Sequence, residues 1–93
     1  MSEYVTVEMR PTADPEVMEI VTNQLLAPAG DEFYPDFEAG DQGSPIAQML
    51  FNGVAGIAAL TIRGSTLVIT RQPGAPWEAI VDDVRDALRD FFL

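Results

Sequence analysis

The sequence lacks cysteine, histidine and lysine altogether. Thiolates and imidazoles are the usual protein ligands of zinc and of iron–sulfur clusters, so the chain by itself offers no site of that kind. It also has no thiol nucleophile and no histidine general base. We therefore expect no catalytic residue, no metal and no cofactor.

Long apolar segments are also missing. No run approaches the roughly 20 residues that a membrane-spanning helix needs. Met1 to Arg10 lacks the basic start and the apolar centre of a secretory signal. These features predict a soluble cytoplasmic protein with no membrane partner.

Positive charge is scarce. Fifteen acidic residues face five arginines, which gives a formal net charge of -10. This charge repels nucleic acid phosphates and anionic lipid headgroups, so nucleic acid is excluded as a partner class. Two interpretations of the acidity remain open, namely solubility alone or a surface that meets a basic partner.

Length and apolar content predict one folded domain over residues 1–93. Hydrophobic residues make up 47% of the chain, far above the composition of disordered proteins. A domain of this size needs most of its apolar residues for packing, which leaves little room for a deep pocket.

The hydrophobic pattern predicts four strands. Apolar and polar residues alternate loosely from Glu3 to Arg10, and a proline-containing turn separates this segment from a strand at about Val17 to Val21. Two apolar runs, Ile57 to Ile62 and Thr66 to Thr70, predict a β-hairpin.

Two segments predict helices. Ser44 followed by Pro45 is typical of a helix start, and Pro76 marks the first helical position of a second, amphipathic helix. The stretch 27–43 is expected to be an acidic loop held by Phe33, Tyr34 and Phe37. The resulting fold class is a ββαββα two-layer α+β sandwich, with a mainly antiparallel four-stranded sheet and both helices on one face.

Two groups of carboxylates suggest metal sites, but their spacing disfavours both. Asp82, Asp86 and Asp90 recur every four residues on the last helix, where we expect a convex, solvated face. The acids between Asp36 and Asp41 lack the spacing and the closing glutamate of an EF-hand.

Ser44 and Ser65 have no base that could activate them as nucleophiles, and no carboxylate pair forms a recognisable acid and base motif. The chain is therefore predicted not to be an enzyme. Trp77 is interpreted either as a residue at the edge of the core or as an anchor for a partner.

Several local motifs agree with one known family. They are Ser-Pro-Ile-Ala to Leu-Phe at 44–51, Val-Ala-Gly-Ile at 54–57, Ile-Thr-Arg at 69–71, a tryptophan at 77 that opens a helix ending Asp-Phe-Phe at 90–92, and Thr-Ala-Asp-Pro at 12–15 followed by Met-Glu-Ile at 18–20. Together these motifs resemble the N-terminal domain of the Nfu/NifU-like iron–sulfur scaffold proteins. Ala13 and Asp14 stand where the family usually has proline and asparagine, and Glu19 stands at a position that is often lysine.

The resemblance implies a standalone relative of that domain, without the C-terminal Cys-x-x-Cys domain that binds the cluster in longer members. It implies a non-catalytic accessory module that acts in iron–sulfur cluster assembly or delivery by binding assembly factors or client proteins. Because a fold does not determine a function, a small-ligand or anion-binding regulatory domain remains the alternative.

The partner-binding residues expected are Arg10, Thr12, Asp14 and Arg63. Thr12 and Asp14 lie in a turn between two strands, and such loops often carry binding residues. Arginine is suited to bidentate contacts with carboxylates or phosphates. A purely structural turn is the alternative interpretation.

Overall fold

The structure is a computed structural model that describes residues 5–92. In chain order the elements are β1 (Val7–Pro11), β2 (Val17–Thr22), β3 (Ala27–Tyr34), α1 (Phe37–Asp41), α2 (Pro45–Gly53), β4 (Ile57–Gly64), β5 (Thr66–Arg71) and α3 (Trp77–Phe91). The first two residues of the predicted N-terminal strand, Glu3 and Tyr4, lie outside the described residues.

All the strands join one antiparallel sheet in the order β1-β2-β5-β4-β3. The predicted hairpin β4–β5 lies beside a second hairpin, β1–β2, because β2 pairs with β5 in a register that places Ile20 opposite Leu67. The α+β class and the antiparallel pairing are confirmed. The predicted count is wrong, since residues 5–92 form a sheet of five strands and three helices.

The error lies in residues 27–43, which form β3 and α1 rather than a loop. Strand β3 pairs only with β4, and its register shifts between Ala27 and Glu32. An edge strand needs hydrogen bonds on one side only, so it tolerates Pro28 and a glycine with positive φ, Gly30 (φ 128°). Because proline and glycine are typical of loops, their presence at positions 28 and 30 prevents the hydrophobic pattern from predicting this strand.

Helix α1 begins where Asp36 accepts a hydrogen bond from the amide of Ala39 at 2.8 Å. The aromatic residues of this region do hold it to the core, since Tyr34 and Phe37 each meet the ring of Phe51 edge-on. Phe33 is the exception, with 66% of its surface exposed.

One side of the sheet packs against the helices. Alternate strand residues point to that side, and they form the core together with apolar residues of α2 and α3: Met18, Ile20, Leu60, Ile62, Leu67, Ile69, Leu50, Ile80, Val84 and Leu88. The period of two in the strands and the helical spacing in α3 therefore bury a common apolar layer.

The helix starts follow the expected chemistry. Ser44 Oγ accepts a hydrogen bond from the amide of Ala47 at 3.3 Å, as a capping serine should. Pro76 occupies the capping position itself, so α3 begins one residue later than expected, at Trp77. Among residues 5–92, no helix is both long and apolar enough to cross a membrane.

Candidate functional site

The turn between β1 and β2, residues 12–16, is held by the segment that leads into α3. The indole Nε1 of Trp77 donates a hydrogen bond to the carbonyl oxygen of Pro15 at 3.1 Å. The guanidinium of Arg71 pairs with Glu16 at 3.0 Å, donates to the carbonyl oxygen of Ala75 at 2.9 Å and lies 5.4 Å from the centroid of the Trp77 ring. The turn is thereby fixed to the rigid part of the domain.

The polar side chains within the turn bond to the turn itself. The hydroxyl of Thr12 lies 2.9 Å from the carbonyl oxygens of Asp14 and Val17, and it accepts a hydrogen bond from the amide of Asp14 at 3.1 Å. The carboxylate of Asp14 accepts from the amide of Glu16 at 2.9 Å. These hydrogen bonds within the turn explain why threonine and aspartate occur at positions 12 and 14.

The side of the sheet that faces away from the helices, here called the open face, is crossed by one row of paired residues: Arg10, Glu19, Val68, Thr61 and Phe33. The neighbouring row of paired residues is Glu8, Val21, Thr66 and Arg63. Within the described residues 5–92 no helix covers these positions, since α1, α2 and α3 pack against the opposite side of the sheet. The open face thus combines half-buried valines with charged residues near its rim.

Arg10 and Arg63 both lie on the open face but are not neighbours. Three strand spacings of about 4.8 Å separate β1 from β4. Arg63 also lies toward the β4–β5 turn, at the end of the sheet opposite to Thr12 and Asp14. The structure therefore places Arg10 near the β1–β2 turn and Arg63 away from it.

Both arginines have weak, exposed ion-pair partners. Arg10 pairs with Glu8 at 3.2 Å, and Arg63 pairs with Asp31 at 3.6 Å. The side chains of all four residues are more than half exposed. Such pairs contribute little to stability, so the two guanidinium groups can exchange partners at small cost.

Arg71 and Glu16 have a positioning role that sequence reasoning missed. They are 55 residues apart in the chain, so no local spacing connects them. Two interpretations of Trp77 followed from the sequence, a residue at the edge of the core or an anchor for a partner. The structure favours the core edge, because the Trp77 ring packs against the core and its indole N–H donates to a carbonyl oxygen of this chain.

The acidic residues of α3 do not all lie on a convex face, contrary to expectation. Asp83, Asp86 and Asp90 line a concave groove between α2 and α3, together with Met49, Gly53 and Ala87. Within residues 5–92, no three acidic side chains are grouped closely enough to hold a metal ion.

Comparison with known proteins identifies the family that the sequence motifs resemble. The family described as "Scaffold protein Nfu/NifU N terminal" matches residues 7–93. None of the curated proteins is similar enough to count as a match.

Solved structures agree on the fold. A NifU-like protein from Saccharomyces cerevisiae, solved by NMR, superposes with a TM-score of 0.75 at 16% identity, over 94% of this chain and 77% of that one. A crystal structure of a Staphylococcus aureus protein superposes with a TM-score of 0.70 at 13% identity, over 92% of this chain and 99% of that one. At such low identity these likenesses establish the fold alone.

Proposed function

Because the chain belongs to the family of Nfu/NifU scaffold N-terminal domains, we propose that it is a non-catalytic accessory module of cytoplasmic iron–sulfur cluster assembly or delivery. It acts by binding a protein that carries or receives the cluster, since the chain has neither cysteine nor histidine with which to hold one. The observation that carries the proposal is the family match over residues 7–93.

The open face is the proposed contact surface. It presents Arg10 and Arg63 beside half-buried valines and the exposed ring of Phe33. A partner that covers this surface would bury the apolar side chains and offer carboxylates to the arginines, which is the composition of many protein interfaces. Thr12 and Asp14 extend the surface at the end near Arg10, where the anchored turn offers a rigid rim.

A reconstituted transfer assay tests this function. A purified Nfu-type Cys-x-x-Cys domain is loaded with a cluster, and its transfer to an apo client protein is followed by absorbance with and without this chain. Calorimetry measures the affinity of the chain for the loaded domain and for the client. We expect micromolar binding to one of the two, and a changed transfer rate.

Two double variants with equal charge change locate the surface. Arg10→Ala with Arg63→Ala alters the open face, whereas Arg85→Ala with Arg89→Ala alters α3 on the other layer. The first pair should weaken binding about tenfold, and the second should weaken it less than about threefold. If the chain binds neither the Cys-x-x-Cys domain nor the client protein nor any other assembly factor, the proposed function is wrong. Equal losses in both double variants would contradict the surface.

A further inference from the structure

The groove between α2 and α3 is a concave feature that the proposed function does not use. Its volume is about 290 Å³, near the lower end for ligand sites. The floor is made by Met49, Gly53 and Ala87, and the missing side chain of Gly53 and the single methyl group of Ala87 leave space between the helices. This space suits one or two apolar side chains of a partner rather than a large metabolite.

All the charged residues that line the groove are acidic. Asp83, Asp86 and Asp90 follow one another at intervals of three and four residues, so they form a stripe about 10 Å long on one side of α3. The opposite wall, α2, contains no charged residue at all. The groove is therefore an apolar slot with a row of carboxylates along one edge.

These carboxylates are poorly compensated. Within residues 5–92, Asp83 and Asp90 make no ion pair, and the one pair of Asp86 is a long contact of 3.7 Å with Arg89 on its own helix. Asp83 is half-buried, and no cation among the described residues pairs with it. A cationic partner would supply the missing ion pairs, so binding has a reason that is local to the groove and goes beyond net charge.

We propose that this groove binds a basic amphipathic helix of another protein. One apolar side chain of that helix enters the slot over Met49 and Ala87, and arginine or lysine side chains on either side of it pair with Asp83, Asp86 and Asp90. Two helix faces with charges at three- and four-residue intervals match each other along their length. The site lies on the helix layer and is independent of the iron–sulfur role and of the open face.

A second copy of this chain does not fit the groove. Two copies paired through this surface would bring together their aspartate stripes, and each chain carries a net charge of -10. The only cations available are five arginines, of which Arg85 and Arg89 already pair with Asp82 and Asp86 on α3 itself. The occupant is therefore a different protein with an excess of basic residues.

Fluorescence anisotropy with a designed probe tests the proposal. The probe is a labelled helical peptide with three arginines spaced four and three residues apart around one leucine, and a matched peptide has alanine in place of the leucine, which keeps the helix propensity. At near-physiological salt the leucine peptide should bind, and the alanine peptide should bind about tenfold more weakly because most of the slot stays unfilled. Equal binding of the two peptides would overturn the proposal.

Two double variants on α3 remove the same amount of charge, and they distinguish binding at the groove from attraction by the net charge of the chain. Asp83→Asn with Asp90→Asn should weaken binding of the leucine peptide about tenfold. Glu78→Gln with Asp82→Asn should weaken it no more than about threefold, since neither residue lines the groove and salt screens their effect. Equal losses would show attraction by net charge alone and would contradict the site.

NMR on the unmodified chain gives a test that needs no variant. Addition of the leucine peptide should shift the methyl signals of Met49 and Ala87 and the amide of Gly53. Shifts confined to other surfaces would overturn the proposal. Spermine is the control ligand, and if it binds as tightly as the peptide and shifts the same signals, the groove is a polyamine site and not a helix-docking site.

Discussion

The indole nitrogen of Trp77 donates a hydrogen bond to the carbonyl oxygen of Pro15, 62 residues earlier in the chain. This contact joins the start of α3 to the turn between β1 and β2, and Arg71 reinforces it by pairing with Glu16 in the same turn. The N-terminal hairpin and the C-terminal half of the domain are thus connected at this end of the sheet by side chains as well as by strand pairing.

Replacing Trp77 with phenylalanine should loosen this connection. A six-membered aromatic ring is retained, but the pyrrole ring and its N–H donor are lost, so we expect the free energy of unfolding to fall by at least about 0.5–1.5 kcal/mol. The amide of Arg71, which donates to the carbonyl oxygen of Glu16 at 2.9 Å, should exchange faster with solvent. Urea denaturation and NMR hydrogen exchange measure the two effects. Phe91→Leu at the far end of α3 is the control, and a matching rise in Arg71 exchange there would contradict the assignment.

Replacing Arg71 with lysine should be destabilising although it keeps the charge. Arg71 contacts the Glu16 carboxylate and the carbonyl oxygen of Ala75, and only 23% of its side chain is exposed. A lysine ammonium cannot reproduce this geometry, so we expect a loss of about 1 kcal/mol in denaturant unfolding.

The matched control is Arg63→Lys, since Arg63 pairs with Asp31 on the surface with 66% of its side chain exposed. This change should alter the unfolding free energy by less than about 0.5 kcal/mol. Comparable losses at the two positions would mean that the partners of Arg71 add nothing to stability.

Gly40 should not tolerate a side chain. A Cβ at this position would overlap the ring of Phe51, which is buried in the core and also meets Phe37 and Tyr34. We expect Gly40→Ala to lower the free energy of unfolding by about 1–3 kcal/mol through overpacking. Gly53→Ala is the control, because nothing lies within 4 Å of the added Cβ and alanine suits the helix better. Because Gly53 is the last residue of α2, its replacement should change the free energy of unfolding by less than about 0.5 kcal/mol, and thermal unfolding that ranks the two variants in the opposite order would refute the packing argument.

Ser44 connects edge strand β3 to the start of α2. Its hydroxyl donates to the carboxylate of Glu32 at 2.6 Å and accepts from the amide of Ala47 at 3.3 Å. We expect Ser44→Ala to cost about 1–2 kcal/mol, because it removes a helix cap and a charge-assisted hydrogen bond together. Ser65→Ala in the β4–β5 turn is the control and should change stability by less than about 0.5 kcal/mol, which chemical denaturation can resolve. Equal effects would show that Ser44 is merely a turn residue.

Much of the fold could be predicted from local patterns. Loose alternation identified β1, the turn after it placed β2, two apolar runs identified β4 and β5, and the Ser44–Pro45 pair marked the start of α2. These signals depend on residues that are close together in the chain. Strand β3 was not predicted. It pairs on one side only, which permits a proline and a glycine, and these residues are typical of a loop.

The positions of the candidate residues on the sheet could be predicted only in part. Arg10 and Arg63 were predicted to bind a partner, which stays a prediction, and nothing in their spacing reveals that they share the open face, three strands apart. The aspartates of α3 were assigned to a convex face, because the spacing on one helix cannot show that α2 lies beside it and makes the surface concave. Neighbouring elements decide the shape of a surface.

The sequence by itself determined that thiol and imidazole side chains are missing, the sign of the charge, the amphipathic last helix and the family to which the chain belongs. Those properties depend on composition and on short-range order. Only the tertiary structure decided that β3 completes the sheet, that Trp77 and Arg71 hold a turn more than fifty residues away in the chain, and that three aspartates border an apolar groove. These relationships arise when strand pairing and helix packing bring distant residues together, and no local pattern encodes them.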